Sequence, residues 1–211
     1  MATYIIVAII AYLIGSINFS VIISKKMAGF DVREKGSGNA GATNVLRAVG
    51  KKAAIITLIC DILKGVIAII IALLAGRIIN GLNNEVLVQL AGIFVILGHT
   101  FPVFFKFKGG KGVATSLGVL LITNWQIGLI CLVFALILII LTKMVSVGSI
   151  SAGILFPVLV VFINENYIVP KSNWSYLIFG IVLALLVVYN HRENVKRLLN
   201  GTENKISFKK K

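Results

Sequence analysis

Apolar residues come in long runs along this chain, separated by short joints rich in glycine, asparagine and lysine. Seven runs predict helices, over residues 3–23, 53–75, 86–105, 113–123, 125–141, 145–163 and 174–189. The fourth is short, because 11 residues rise only about 17 Å against a hydrocarbon core of about 30 Å. Such a helix is tolerable where its beginning lines a protein cavity instead of lipid. The stretch KFKGGKGVATSLGVL, from Lys106 to Leu120, is therefore expected to dip into the membrane from the inner side.

Composition agrees with a membrane solvent. The chain is 58% hydrophobic and 13% charged, with a mean hydropathy of +1.00, which excludes a water-soluble domain. Its longest polar interval, 28 residues from Lys25 to Lys52, is too short for a separate soluble unit, so residues 1–211 read as a single membrane domain. The N-terminus lacks a basic region ahead of its apolar run, and the first lysines, Lys25 and Lys26, follow it. It is expected to stay as a first helix that starts outside.

Charge decides how many spans to count. With seven helices and the N-terminus outside, 18 of the 21 lysines and arginines fall on the inner side, including Arg192, Lys196, Arg197, Lys205 and Lys209 to Lys211. Arg77 and Lys171 face out, and Lys64 lies within the second helix. Merging the fourth and fifth runs into one would send the basic C-terminus outward, against the positive-inside rule. The expectation is an all-α, polytopic integral membrane protein with seven transmembrane helices and a cytoplasmic C-terminus. The net charge of +14 thus belongs to loops beside anionic lipid and not to nucleic acid. Cys60 and Cys131 sit within apolar runs without metal-ligand or C-x-x-C spacing, as buried free thiols do. No metal or cofactor is implied, and the sequence carries no signal for oligomeric state.

Three polar segments share the inner face: EKGSGNAGATNVLRAVGKK from Glu34, GHTFPVFFKFKGGKGVATSLG from Gly98, and YNHRENVKRLLNGTENK from Tyr189. They contain both histidines, His99 and His191, and the outer joints have no comparable density of hydrogen-bonding groups. In the second segment, Gly109, Gly110 and Gly112 let the backbone approach a ligand, and the helix that follows offers N-terminal N–H groups to an anion. Lys108 and Lys111 add compact positive charge suited to phosphate. This is no Walker A loop, since Gly112 follows Lys111 where serine or threonine would stand. The competing reading is an interfacial turn with snorkelling lysines.

In the first segment, Ser37, Asn39, Thr43 and Asn44 are short hydrogen-bonding side chains among glycines, and Arg47 follows Asn44 by three positions. Together they suit a polyanion receptor, although Thr43 or Asn44 can equally cap a short helix ending near Gly50. His191 and Asn194 fall just beyond the last helix, where a lone histidine is also an ordinary interfacial residue. Glu203 reads as an anchor for the tail. Asp61 and Lys64, spaced i, i+3 in the second helix, neutralise each other in the bundle and brace the loop above.

With these motifs in place, the sequence resembles the bacterial acyl-phosphate:glycerol-3-phosphate acyltransferases, the PlsY family. GSGNAGATNVLR, GHTFPVFFKFKGGKGVATSLG and NHRENVKRLLNGTE match that family's three cytoplasmic motifs in order and spacing. The resemblance implies acyl transfer from acyl phosphate to the 1-hydroxyl of glycerol 3-phosphate, giving lysophosphatidic acid and phosphate, the first acylation of bacterial phospholipid synthesis. It implies Ser37 and Arg47 as catalytic, His191 and Asn194 as active-site residues, and Glu203 as structural. Lys108 to Gly112, with Thr115 after them, become the glycerol 3-phosphate site. It also implies a bacterial inner-membrane enzyme whose active site faces the cytoplasm. The run SVGSI, Ser146 to Ile150, is less rich in serine than the family pattern, so Ser146 and Ser149 receive no role.

The residues support that reaction on their own terms, since two phosphorylated substrates need more than one anion-binding element and an acyl chain needs a cavity open to lipid. The His-x4-Asp signature of other glycerolipid acyltransferases is absent, because Phe104 and Lys196 stand five residues after His99 and His191. The alternative class, a small transporter or flippase for a phosphorylated solute, calls for a matching outer polar cluster that the sequence lacks.

Overall fold

The computed structural model describes residues 1–163 and 173–206. The charges of Lys171 and of Lys209 to Lys211 lie outside the described residues. Among those described, the chain is all-helical. Helices α1 (Ala2–Gly15), α2 (Phe19–Ala28), α3 (Ala42–Ala48), α4 (Lys51–Ile78) and α5 (Asn84–Thr100) come first. Helices α6 (Val113–Thr123), α7 (Trp125–Thr142), α8 (Val145–Phe162), α9 (Asn173–Asn190) and α10 (Arg192–Leu199) follow. Among the described residues, five stretches are long and apolar enough to cross a membrane, and α9 meets the same test only when taken together with α10, from which it is bent by 60°. The outer side chains of α7, among them Val133, Leu136, Ile137 and Ile140, are exposed and apolar, as lipid contact requires.

The expected first helix is broken. It stops at Gly15 and resumes at Phe19, where the Asn18 side chain accepts the Val21 N–H. A break at that depth frees carbonyls that lipid cannot satisfy. Lys64 of α4 supplies the donors, with Nζ 3.0 Å from the carbonyls of both Gly15 and Ile17. Its third N–H faces Asp61 Oδ1 at 2.9 Å.

Helix α6 ends at Thr123, and Asn124 then caps α7 by accepting the Ile127 N–H, so the fourth and fifth runs are separate helices. Small residues set how closely α6 lies against α4. A Cβ on Gly65 would meet the Thr115 carbonyl, and one on Gly118 would meet the Ile62 carbonyl. This contact fixes the helix that follows the glycine-lysine loop. Deeper in the bundle, Phe156, Tyr176 and Phe179 join α8 to α9 through edge-on ring contacts.

Candidate active site

Asn44 shapes the loop between α2 and α4. Its side-chain nitrogen donates to the Val32 and Lys35 carbonyls at 2.9 Å each, and its Oδ1 accepts the Ser37 N–H at 2.9 Å. The side chain is buried and engaged at both ends, so the loop itself takes up Asn44, in place of the ligand role expected of it. Neither Asn44 nor Thr43 caps α3, whose N-cap is Gly41. This packing also accounts for Gly36, at φ 63, where a Cβ would strike Asn44 Oδ1. Ser37 and Arg47 remain exposed on this loop, and Asn39 and Thr43 half-buried.

The glycine-lysine loop works differently from a bare backbone cradle. The N–H groups of Gly109 and Gly110 donate to the carbonyls of Thr100 and His99, at 3.1 and 3.0 Å. Both N–H groups are thus committed within the protein. Gly110 is required for space, since a Cβ there would overlap His99 Nε2 and crowd the Ala40 carbonyl. The donors left for an anion are in the first turn of α6. Among the described residues, Ser116 N–H is the first to find a carbonyl, that of Gly112 at 2.7 Å, leaving those of Val113, Ala114 and Thr115.

Arg33 holds the two loops together. Its Nη1 donates to the Phe105 and Lys108 carbonyls at 2.8 and 3.1 Å, while Nε and Nη2 bind Asp31 at 3.0 and 2.8 Å. The Arg33 hydrogen bond keeps the Asp31 carboxyl below the usual range.

Lys111 reaches the C-terminal segment, where its ammonium donates to Asn194 Oδ1. Asn194 in turn donates to Glu203 Oε1 at 2.7 Å, and Ser146 reaches the same oxygen at 2.9 Å. Arg197 Nε takes Glu203 Oε2 at 2.9 Å. Asn190 donates to Thr100 Oγ1 and the Lys111 carbonyl, at 3.2 and 3.4 Å. From the first loop, Arg47 joins the tail at the Asn204 carbonyl, 3.3 Å away.

Electrostatics confirm this convergence. Lys111 is brought down to about 8 by burial and by the charges of Arg197 and Arg47, with Glu203 opposing. Burial alone would raise Glu203, but hydrogen bonds from Asn194, Ser146 and Arg197 outweigh it and hold the carboxyl below its ordinary value. His191 is pushed down to about 4, first by burial and then by Lys111. Its Nδ1 lies 2.7 Å from the Val187 carbonyl, which makes that edge the N–H and leaves the lone pair on Nε2.

Arg47, Lys111, His191, Asn194 and Glu203 thus form one cluster. Lys108 lies elsewhere, on a cleft of about 390 Å³ shared with Asp31, Arg33, Glu34, Gly38, Lys106 and Gly109. Thr115 is wholly buried, and among the described residues its hydroxyl has no hydrogen-bond partner. Arg33, Ser146, Asn190 and Arg197 were not anticipated. Two of them bind backbone carbonyls, which carry no residue-type signal, and Ser146 stood in a run that departed from the motif.

A sequence profile described as glycerol-3-phosphate acyltransferase matches residues 5–201. A glycerol-3-phosphate acyltransferase of Clostridioides difficile is 45% identical over 208 residues, covering 99% of this chain and 98% of its own. One from Thermoanaerobacter sp. is 46% identical over 206 residues, covering 97% and 96%. Among solved structures, the glycerol 3-phosphate form of PlsY, an integral membrane glycerol 3-phosphate acyltransferase, superposes with a TM-score of 0.85 at 39% identity, over 97% of this chain and 96% of that one. The lysophosphatidic acid form gives 0.83 at 37%, with the same coverage.

Proposed function

The chain belongs to the glycerol-3-phosphate acyltransferase family, and from that membership we propose that it draws its acyl group from acyl phosphate. It is an integral membrane enzyme that acylates glycerol 3-phosphate. In the proposed reaction the acceptor's 1-hydroxyl oxygen attacks the carbonyl carbon of the mixed anhydride. The bond from that carbon to the phosphate oxygen breaks, phosphate leaves with the electron pair, and lysophosphatidic acid is released.

One observation carries this reading: three segments meet where Arg47, Lys111 and Arg197 outnumber the single carboxylate Glu203, beside a neutral histidine. Surplus positive charge suits the acceptor phosphate and the departing one. The first turn of α6, next to Lys111, adds N–H donors. In this scheme Arg47 and Lys111 hold phosphate charge and Asn194 orients Lys111. Ser37 hydrogen-bonds a substrate, with Asn39 and Thr43 beside it. Glu203 keeps the cations in place, and His191 Nε2 accepts the hydroxyl proton, a task the acceptor's own phosphate can share.

Acyl phosphate is already activated, so alignment and charge suffice and no acyl-enzyme is needed. The test mixes stoichiometric enzyme with acyl phosphate in the absence of acceptor. Direct transfer gives no phosphate burst and no mass gain. A burst equal to the enzyme, with an acyl adduct on Ser37 that passes to added glycerol 3-phosphate, would overturn it. Acyl-CoA and acyl carrier protein, supplied in turn as donors, are expected to support little turnover, and preference for either would remove the acyl phosphate assignment.

The pH profile follows from Lys111, whose lowered value of about 8 makes it cationic below that pH and neutral above it. Accordingly, kcat/KM for the acceptor should fall above about pH 8, and Lys111→Arg should move that limb upward, because arginine stays charged. An unchanged alkaline limb in the variant would take Lys111 out of the phosphate site.

For topology we propose one domain over residues 1–211 in a bacterial inner membrane, with seven spans, α6 among them, the N-terminus outside, and the active site cytoplasmic. Support comes from the basic residues of the cluster, which belong to loops that the positive-inside rule places in the cytoplasm. Cysteines replacing Lys35, Lys108 or Lys205 should all resist an impermeant thiol reagent in intact cells. Labelling at position 205 but not 35 would restore six spans.

A further inference from the structure

Asp61, Lys64 and His99 form a buried polar cluster that no step of the transfer uses. Their side chains are 2%, 3% and 7% exposed. Such groups are costly inside a membrane protein unless each is paired. Lys64 caps the broken end of α1 and contacts Asp61, and the same Asp61 Oδ1 faces His99 Nδ1 at 3.5 Å. The opposite edge of the imidazole meets the glycine-lysine loop, where a Cβ on Gly110 would overlap Nε2. The His99 carbonyl also accepts the Gly110 N–H at 3.0 Å. His99 therefore holds Gly110 with both its ring and its backbone, and Lys111 is the next residue.

The loop needs such support from outside. Lys106 and Phe107 both occupy the left-handed region, at φ 57 and 56, and the glycines beside them impose little order of their own. Placement of a phosphate-binding ammonium is sensitive to shifts of about 1 Å.

We propose that His99 is a positioning residue for this loop: Asp61 fixes its ring, and the ring and carbonyl set Gly110, and with it Lys111 and the first turn of α6, where the acceptor phosphate binds. Lys64 contacts the same Asp61 oxygen and ties that point to α1. The acceptor part of the inference rests on the reading of Lys111 given above; the structural part does not.

The full-length protein in lipid nanodiscs carries the test, as His99→Leu, His99→Asn, Asp61→Asn and Lys111→Ala. Two quantities are read, backbone-amide exchange over residues 106–112 and KM for each substrate. His99→Leu should speed exchange in that segment at least tenfold and raise the KM for glycerol 3-phosphate at least tenfold, with the KM for acyl phosphate within twofold. Asp61→Asn should do the same to a smaller degree. His99→Asn, whose amide nitrogen falls near the position of Nδ1 and still faces Asp61, should recover part of both. Partial unfolding would lower kcat through the amount of active enzyme and leave both KM values alone. If Lys111→Ala raises the acceptor KM and His99→Leu does not, the inference falls while the function stands. If Lys111→Ala leaves that KM unchanged, the phosphate reading falls, and exchange alone judges His99. Unaltered exchange in the His99 and Asp61 variants overturns the positioning role. Should His99→Leu not yield folded protein, His99→Asn and Asp61→Asn decide by the same criteria.

Discussion

Lys111→Ala is expected to lower kcat/KM for glycerol 3-phosphate by roughly 100-fold, through losses in both KM and kcat. A hydrogen bond to a charged group is worth about 1.5 to 3 kcal/mol, and about 1.4 kcal/mol is tenfold in rate. Lys111 is placed to act on a bound phosphate, and its removal also strips Asn194 of the donor that orients it. Lys111→Arg, which keeps the charge but not the compact geometry, should fall between alanine and the parent. Steady-state kinetics with each substrate varied in turn decide the matter. A loss below threefold would mean that the cationic cluster serves folding and not substrate.

Glu203→Ala should be the most damaging single change in the C-terminal segment. The carboxylate accepts from Ser146, Asn194 and Arg197, and its side chain alongside Arg197 is 4% exposed. Glu203 is the shielded member of the pair and Arg197 is a third exposed, so its removal forfeits charge-assisted hydrogen bonds worth about 1.5 to 3 kcal/mol each, less where water reaches the guanidinium. Here Arg47, Lys111 and Arg197 would also repel one another with no carboxylate between them. The expected result is release of the tail and activity reduced by more than 100-fold. Limited proteolysis should show faster cutting at Arg197 and Lys205. Glu203→Gln keeps one acceptor oxygen and should retain more activity, and Ser146→Ala, losing one bond of about 1 kcal/mol, more still. A Glu203→Ala protein with near-parent activity and an uncut tail would refute the anchoring role.

Much of this protein follows from local sequence. Apolar runs specify membrane helices because lipid leaves the backbone few other ways to satisfy its hydrogen bonds. Val113–Thr123, short as it is, is a helix of its own, since Asn124 carries the cap that starts the next. The three polar segments announced themselves by residue type, as ammonium, guanidinium and carboxylate groups have few uses beside lipid. Lys111, Arg47 and Glu203 were each legible as candidates for that reason, and Asn194 through the resemblance of its motif to the family's third.

Tertiary structure alone decided which partner each group takes. Asn44 turned inward to two carbonyls and one N–H of its own loop. The Gly109 and Gly110 N–H groups went to the Thr100 and His99 carbonyls, and both glycines pack closely against that helix end. Arg33 binds carbonyls more than 70 residues away, and Lys64 caps a helix break that reading residues 3–23 as one run passes over, although Gly15, Ser16 and Asn18 stand at it. The physical reason is common to all four. Every residue carries a backbone carbonyl, and every residue but proline an N–H, so sequence marks a side chain that can bond to backbone but not which backbone group folding will bring within 3 Å of it.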